Sequence, residues 1–351
     1  AVSRADIKLQ IGKEQTHGLG AGARPEIARR AVEENLDHVQ EIIQDTDMVF
    51  ITAGMGGGTG TGSAPIIAEA AREQDCLTLA IVTMPFDFEG PKKLRVAEEG
   101  LEELKRNVDT LIVVPNQQLI KIVNSNTSLN EALQIADNIL HQAVKSITDL
   151  ISNQGVFNLD FADVKTIMQG KGEAIMGTGV ASGEARASLA AQQAISSPLL
   201  DNLSIRGAES ILINIIGNSE LTLFEVEETC KIIREEAGTD SDTIVGIIND
   251  NSLDDEIVIN VIATGVNREE IDEQITTMGD KNYEPEEVEE EKTKVKEPAG
   301  GNLNSNDDLD EDKDTPFSDF THDDEDFEKK QKEMEDKEIP SILRKNLKLF
   351  E

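Results

Sequence analysis

A glycine-dense stretch, TAGMGGGTGTGSAP from Thr52 to Pro65, is the part of the chain best suited to bind an anion. It follows the apolar run Met48–Ile51 and leads into SAPIIAEAA, which is typical of a helix start. Backbone N–H groups in such a loop, with the positive end of the helix dipole, bind phosphate. The hydroxyls of Thr59, Thr61 and Ser63 can donate as well. A flexible surface loop is the alternative, but the flanking strand and helix favour phosphate binding.

The class of phosphate ligand can be narrowed from what surrounds this loop. The sequence contains no GxxxxGK[ST] pattern, so the loop is not a Walker loop with its lysine. GMGGGTG satisfies the dinucleotide fingerprint GxGxxG, which is weak evidence alone. The next apolar run, LTLAIVT, ends on Thr83 and Met84, where a ribose-binding carboxylate would be expected. The dinucleotide hypothesis is therefore disfavoured.

Two carboxylates form a second group with chemical potential. Asp160 and Asp163 stand three residues apart at the start of the helical segment FADVKTIM, and Asn158 precedes them. One interpretation is helix capping, in which these side chains accept from free N–H groups. The other is that they orient a water, directly or through a cation, for attack on a phosphate. The sequence leaves both open.

The elements that must position these groups follow a strand–helix–strand pattern. MVFITA, LTLAIVT and TLIVVP are apolar, β-branched runs typical of strands buried on both faces. Helical segments alternate with them, beginning with Pro25 before EIARRAVEENLDHVQEII. We therefore expect an α/β fold with a doubly wound, mostly parallel sheet whose ligand loops follow the carboxyl ends of the strands. A long amphipathic helix, roughly Ser128 to Ser152, joins it to a smaller α+β domain of four further strands.

Charge and composition exclude several classes of protein. The net charge of −36 disfavours nucleic acid as a partner. Two cysteines indicate neither a disulfide framework nor a metal site, and favour a reducing, cytoplasmic setting. No apolar run is long enough to insert in a membrane. The segment Asn267–Lys337 has a net charge of −17 and few apolar residues, so it is expected to be disordered.

Together these observations predict five segments. They are a nucleotide-binding domain at 1–127, a central helix with a catalytic loop at 128–169, a C-terminal α+β domain at 170–266, an acidic linker at 267–337 and a terminal peptide at 338–351.

The motifs resemble those of the tubulin/FtsZ family of GTPases. GGGTGTG at Gly56–Gly62 is similar to the tubulin signature loop, and NLDFADV at Asn158 matches a second specific motif. Agreement elsewhere extends the resemblance over about Ile7 to Val266, with GLGAGARPE, PFDFEG, PNQQL, GVASGE, ISSPLL and VIATGV at matching spacing. It implies GTP or GDP as ligand, with Mg²⁺ or a monovalent cation at the phosphates. The implied activity is GTP hydrolysis coupled to polymerisation, in a ring at the bacterial division site.

Each implied nucleotide-site residue can be placed by its motif. The resemblance assigns the phosphates to two short segments: Gly20, Ala21, Gly22 and Ala23, and Gly56, Gly57, Gly58, Thr59, Gly60, Thr61 and Gly62. It assigns the ribose to Glu89 and puts Asn116 beside the nucleotide. Asp137 would read guanine, since a carboxylate accepts from both N1–H and the exocyclic amine. A solvated helix position is the alternative for Asp137.

The chain departs from the family pattern in three places. Lys93 replaces an arginine near the phosphates, which keeps the charge but loses bidentate pairing. Leu133, one turn before Asp137, replaces a base-stacking phenylalanine, so the base would pack on an aliphatic side chain. The family's first strand and first glycine loop, which would precede Ile7, are absent. Without them, we expect this 351-residue chain either to bind GTP poorly or to fold poorly.

Distance implies that two molecules share one active site. About 15 helical residues follow Asp137, which is roughly 23 Å, so Asp160 and Asp163 would face away from the nucleotide of their own chain. They could then act only on a nucleotide bound to another subunit, in a head-to-tail contact that generates filaments.

The end of the chain differs in character from the linker. KEIPSILRKNLKLF, Lys337 to Phe350, has apolar residues at helical spacing beside Arg344, Lys345 and Lys348. A frayed basic end is one interpretation, and a peptide that folds on a partner is the other. It resembles the family's terminal peptide, which implies that Glu338–Lys345 binds membrane-anchoring and regulatory division proteins.

Overall fold

A seven-stranded sheet forms the centre of the molecule. The computed structural model describes residues 4–16, 20–123, 126–152, 160–200, 203–238 and 241–266. The strands are β1 (Met48–Gly54), β2 (Leu77–Met84), β3 (Thr110–Pro115), β4 (Gly172–Ser182), β5 (Ser210–Gly217), β6 (Asp242–Asn249) and β7 (Glu256–Thr264). Their order across the sheet is β1-β2-β3-β4-β7-β5-β6. The expected linker and terminal peptide, and Asn158, lie outside the described residues.

The sheet is mostly parallel, as the buried apolar runs predict. β1 to β4 pair in parallel, β5 pairs with β6 in parallel, and β7 runs antiparallel between β4 and β5. In the register, Gly54 aligns with Thr83 and Met84 aligns with Pro115. The carboxyl ends of β1, β2 and β3 therefore meet at one edge of the sheet, which is where ligand loops gather in α/β folds.

The helices cover both faces of this sheet. They are α1 (Lys13–Thr16), α2 (Pro25–Glu33), α3 (Leu36–Ile43), α4 (Thr59–Glu73), α5 (Pro91–Asn107), α6 (Asn116–Leu119), α7 (Leu129–Ser152), α8 (Phe161–Met168), α9 (Arg186–Ile195) and α10 (Leu223–Ala237). None of these described helices is long and apolar enough to cross a bilayer.

The prediction of a single helix after Pro25 is wrong, because the segment forms two helices, α2 and α3. The break lies at Asn35, whose backbone leaves the helical region at φ −122°. Its side-chain amide donates to the carbonyl oxygen of Ala31 over 2.9 Å, a local bond that competes with helix continuation. The apolar periodicity of the sequence continues across Asn35, so this periodicity did not predict the helix break.

The expected long helix is confirmed as α7, and it packs in the largest of the four apolar clusters that the described residues form. Ile139, Ala143, Ile147 and Leu150 of α7 are buried in one apolar cluster with residues of strands on both halves of the sheet. The second cluster lies between α9, α10 and the strands β4, β5 and β7. The two halves also share backbone hydrogen bonding, since Thr110–Ile112 of β3 pair with the first residues of β4.

Candidate functional site

Three loops follow the carboxyl ends of β1, β2 and β3 and gather most of the expected nucleotide residues. The glycine loop after β1 leads into α4, a short turn at Asp87–Glu89 follows β2, and α6 starts directly after β3. Two hydrogen bonds tie the three together. Met55 N–H donates to Thr83 O over 2.9 Å, and Asp87 N–H donates to Gln117 Oε1 over 3.2 Å. The sequence did not predict that Thr83 and Gln117 connect the three loops. For Gln117, its position next to Asn116 in PNQQL could have indicated it.

The glycine loop holds its shape through internal bonds. Gly56 adopts φ +88°, a region that side chains rarely occupy. Its N–H donates to Thr61 Oγ1 over 2.9 Å in a buried contact. A Cβ on Gly56 would lie 2.8 Å from Lys93 Cγ, so glycine lets this lysine stem pack on the loop. Lys93 therefore lies against the glycine loop, and its expected contact with the phosphates stays a prediction.

The remaining glycines divide into those that pack on neighbouring backbone and one that faces open space. A Cβ on Gly58 would lie 2.7 Å from Ala21 Cβ, on Gly60 2.7 Å from Gly54 O, and on Gly62 2.1 Å from Pro25 O. At Gly57, a Cβ would meet no described atom within 4 Å. Gly57 is thus the point where a ligand could approach the main chain.

The start of α4 offers unpaired N–H donors. Its first backbone hydrogen bond runs from Gly62 N–H to Gly58 O over 3.0 Å. The N–H groups of Thr59, Gly60 and Thr61 therefore have no acceptor within the helix. No side chain among the described residues caps this end. Free amides, the helix dipole and the open side at Gly57 together form a cradle that fits an anion.

The three hydroxyls expected to face phosphate are in different situations. Thr59 is exposed, whereas Thr61 and Ser63 are buried. Thr61 Oγ1 accepts from Gly56, and Ser63 donates to the carbonyl oxygen of Thr59. Thr59 is therefore the hydroxyl best placed to meet a ligand, and phosphate contacts from Thr61 and Ser63 stay predictions.

The turn Gly20–Ala23 lies beside the glycine loop, as expected. Gly22 and Ala23 adopt φ +58° and +57°, and Arg24 N–H donates to Ala21 O over 3.2 Å, as in a type I′ turn. Ala23 is strained in this conformation, since only glycine adopts it without cost. A cleft of about 210 Å³ separates Gly20 and Ala21 from Thr59. Strained backbone of this kind often accompanies a binding site.

Glu89 and Lys93 form an ion pair one helical turn apart. Glu89 Oε1 also accepts from Phe86 N–H over 2.9 Å. Burial acts to raise the pKa of Glu89, but the hydrogen bonds from Lys93 and Phe86 and the lysine charge outweigh it and leave the pKa below its ordinary value. Glu89 is therefore ionised at neutral pH, and it pairs with the ammonium group of Lys93.

Asn116 opens α6 directly after β3 and is 8 % exposed. Its Oδ1 is buried and accepts no hydrogen bond among the described residues. A buried acceptor without a donor is costly, which favours a ligand donor at this position. A ribose hydroxyl or a guanine N–H has the required chemistry.

Leu133 and Asp137 lie one turn apart on α7, and both are exposed. Leu133 keeps 44 % of its surface in solvent although its neighbours Ala136 and Ile139 are buried. An exposed leucine beside an exposed carboxylate fits a flat base that needs one apolar face and one acceptor edge.

Asp160 and Asp163 form a reciprocal capping box at the start of α8. Asp160 accepts from Ala162 N–H over 3.4 Å, and Asp160 N–H donates to Asp163 Oδ2 over 3.3 Å. Capping is thus present, and both carboxylates remain exposed. The other end of α8 is fixed where Thr110, the first residue of β3, donates to Met168 O. This anchor lies at the amino end of β3, whereas Asn116 follows the carboxyl end of the same strand, about 20 Å from Thr110 at 3.3 Å per residue.

The site therefore divides into two groups. The glycine loop, the Gly20–Ala23 turn, Glu89, Lys93 and Asn116 gather near one edge of the sheet, whereas α8 is anchored at the opposite edge. No cluster of three or more His, Cys, Asp or Glu side chains that could hold a metal occurs in the described parts of the chain. A cation at the first group would need ligand oxygens in addition to protein ones.

Family models match both halves of the chain. Residues 2–124 match the tubulin/FtsZ family GTPase domain, and residues 172–267 match the FtsZ family C-terminal domain. Among curated relatives, a cell division protein FtsZ of Bartonella bacilliformis is 51 % identical over 76 % of this chain. Cell division protein FtsZ 2 of Rhizobium meliloti is also 51 % identical over 76 %. The chain spans 45 % of the Bartonella protein and 77 % of the Rhizobium protein.

Solved structures agree with this match. An empty FtsZ dimer of M. jannaschii superposes with a TM-score of 0.70 and 44 % identity, covering 73 % of this chain and 74 % of that one. A protofilament of CetZ2 from Haloferax volcanii, bound to GTPgS, gives 0.60 at 21 % identity, covering 77 % and 84 %. At that identity, the CetZ2 likeness supports the fold alone.

Proposed function

The chain belongs to the tubulin/FtsZ family, and from this membership we propose that it binds and hydrolyses GTP while polymerising head-to-tail. The observation that carries the proposal is the cradle at the start of α4. Its free amides, the open side at Gly57 and the unpaired Oδ1 of Asn116 fit a nucleotide with its phosphates at the helix terminus.

Each part of the nucleotide has a proposed partner. The glycine loop and the Gly20–Ala23 turn bind the phosphates, and Glu89 accepts from the ribose hydroxyls. Asp137 selects guanine over adenine, because its carboxylate accepts from two guanine donors and repels adenine's ring nitrogen. Leu133 packs on the base. Mg²⁺ or a monovalent cation, coordinated mainly by phosphate oxygens and water, would neutralise phosphate charge.

Hydrolysis is proposed to need a second copy of the chain. Two observations support this arrangement: about 15 residues of α7 follow Asp137, and the carboxyl end of α8 is anchored at the edge of the sheet opposite the glycine loop. Asp160 and Asp163, with Asn158 before them, would orient water towards the γ-phosphate of the neighbouring subunit. Because the two halves of the site lie at different ends, each subunit can contact two others, and the contact generates an open filament.

The cellular role follows from the relatives' names. Several are cell division proteins, and we propose that the filaments form the division ring at midcell in the cytoplasm. The segment Glu338–Lys345 would bind membrane-anchoring and regulatory division proteins, so recruitment requires neither membrane insertion nor nucleic acid. Deleting Glu338–Glu351 should then abolish recruitment and leave GTP hydrolysis intact.

Nucleotide selectivity and turnover test this function directly. The sequence predicts a low affinity for GTP in this chain; at whatever affinity it has, we expect it to bind GTP more tightly than ATP, and to release phosphate only when light scattering reports assembly. Asp137→Asn should reduce the preference for GTP, since the amide presents donors to guanine's donors. Equal affinity of the unsubstituted chain for GTP and ATP would contradict the proposed base site.

A nucleotide-dependent scaffold with little hydrolysis is the second candidate. It is favoured by the pairing of Lys93 with Glu89, which engages the lysine charge that would otherwise act on phosphate. Scattering that rises with GTP while no phosphate is released would select this function over the GTPase.

A further inference from the structure

An apolar cleft at the start of α10 lies outside the proposed nucleotide site. It has a volume of about 190 Å³. The side chains that line it include apolar Leu221, Val226, Ile247 and Ile248, and polar Asn218 and Asn249. We refer to it as the α10 cleft.

Two apolar side chains beside this cleft are unusually exposed. Leu223 and Phe224 keep 77 % and 82 % of their surface in solvent, more than any other large apolar side chain in the described residues. Exposed apolar surface next to an apolar cleft with a polar rim is typical of a docking site.

The surface around the α10 cleft is acidic. Residues 218–228 carry four carboxylates and residues 249–256 carry four more, and neither stretch contains a lysine or an arginine. Buried Arg186 pairs with one carboxylate from each stretch, Glu225 and Asp255. The occupant should therefore combine apolar side chains with positive charge.

This chain itself carries a segment with that combination. Residues Pro340–Lys348, PSILRKNLK, contain three basic residues and no acidic one, with Ile342, Leu343 and Leu347 at helical spacing. The preceding tail, Asn267–Lys337, has a net charge of −17 and would be repelled by the same surface. We propose that Pro340–Lys348, the basic tip, docks in the α10 cleft of its own chain.

The length of the intervening tail permits this contact. About 73 residues separate Val266 from Pro340, which gives a root-mean-square reach of roughly 45 Å for a flexible chain. A folded part of about 260 residues has a radius of gyration of about 18 Å. The tip can therefore reach the cleft, and tethering raises its effective concentration there. A docked tip would be withheld from the anchoring partner proposed above, so the cleft and that partner would compete for it.

A tryptophan reporter tests the docking in the full chain without nucleotide. The chain contains no tryptophan, so Phe224→Trp places a single reporter at the edge of the cleft. Leu343→Glu in that background should raise acrylamide quenching of Trp fluorescence about twofold, because an apolar contact that covers the ring is lost. Lys345→Glu should act in the same direction, and high salt should reproduce it. Leu189→Glu, a change at an exposed leucine of α9 outside the cleft lining, is the matched control and should leave quenching unchanged.

Hydrogen exchange provides a readout that needs no reporter. Amides of residues 221–226 and of the basic tip itself should exchange faster in Leu343→Glu than in the unsubstituted chain, and rates in the rest of the chain should match. Identical quenching and exchange in Leu343→Glu and the unsubstituted chain would overturn the proposal. Protection that disappears on dilution would also overturn it, because a second copy would then cover the cleft. Since no GTP is present, failure here is distinguishable from failure of the proposed GTPase.

Discussion

At the scale of single residues, the glycine loop contains glycines whose missing Cβ the fold requires and one, Gly57, that has open space beside it. A Cβ added to Gly58, Gly60 or Gly62 would lie within 2.1–2.7 Å of a neighbouring atom, which is the Cβ of Ala21 for Gly58 and a backbone carbonyl oxygen for the other two. Gly57 has no such neighbour among the described residues, and we propose that its missing side chain leaves room for the phosphates of GTP. This distinction is invisible in the sequence, where the four glycines are equivalent.

Two alanine substitutions test this separation. Gly57→Ala should leave the thermal midpoint unchanged and weaken GTP binding, since its Cβ projects into the anion cradle. Gly62→Ala should destabilise the chain by about 1–3 kcal/mol, because the Cβ must displace the carbonyl of Pro25. Thermal unfolding without nucleotide and a GTP titration measure the two effects. Unweakened GTP binding in Gly57→Ala would place the phosphates elsewhere.

A buried ion pair gives a prediction about stability and pH. Arg186 Nε donates to Glu225 Oε1 over 2.6 Å. Burial acts to raise the pKa of Glu225, but the hydrogen bonds from Arg186 and from the N–H and hydroxyl of Thr222, together with the arginine charge, outweigh burial and lower this pKa. Glu225→Gln should cost about 1–3 kcal/mol at neutral pH, because buried Arg186 loses one of its two carboxylate partners and keeps only the exposed Asp255. A lowered folded-state pKa means that the Glu225 contribution is present above its ordinary pKa of 4.5 and lost as the pH falls through the folded value.

Chemical unfolding of both chains across this pH range measures the difference. The gap between wild type and Glu225→Gln should be constant near neutrality and narrow in acid. A gap that is already narrowing at neutral pH would contradict the assignment.

At the scale of elements, the two carboxylates at the start of α8 have two possible roles, capping the helix and orienting water for hydrolysis. Asp160 and Asp163 form a reciprocal capping box, which explains their presence without any catalysis. Serine followed three residues later by glutamine forms the same box without negative charge. The two roles can therefore be separated by substitution.

The double variant Asp160→Ser/Asp163→Gln should keep stability within about 0.5 kcal/mol, because the cap is retained. It should still bind GTP and should lose phosphate release, since no carboxylate orients the water. Thermal unfolding, GTP titration and a phosphate assay measure the three properties. Wild-type turnover in this variant would assign the carboxylates to capping alone.

Element prediction from sequence succeeded where burial dictates the pattern. The buried runs LTLAIVT and SILINIIG specify strands because both faces are covered. The break at Asn35 was missed because it depends on one side-chain hydrogen bond to Ala31, which apolar periodicity does not encode. Similarly, the orphaned Oδ1 of Asn116 depends on which neighbours surround it in space, although PNQQL marked the position.

At the scale of the whole molecule, the account divides one active site between two copies. The glycine loop follows the carboxyl end of β1, and α8 is anchored at the amino end of β3. Neither group is expected to hydrolyse GTP alone. The sequence suggested this from helix length. The structure adds that Met168, at the carboxyl end of α8, is anchored at the amino end of β3, with Asp160 and Asp163 at the other end of the same helix.

Mixing two inactive variants tests the shared site most directly. Gly57→Ala retains the carboxylates but binds GTP weakly, whereas Asp160→Ser/Asp163→Gln binds GTP but lacks the carboxylates. In a random head-to-tail copolymer, about a quarter of the contacts join an intact loop to intact carboxylates. At a GTP concentration too low to load Gly57→Ala, each variant alone should be inactive, and the equimolar mixture should recover about that fraction of wild-type phosphate release. Copolymers that form by light scattering and release no phosphate would contradict it.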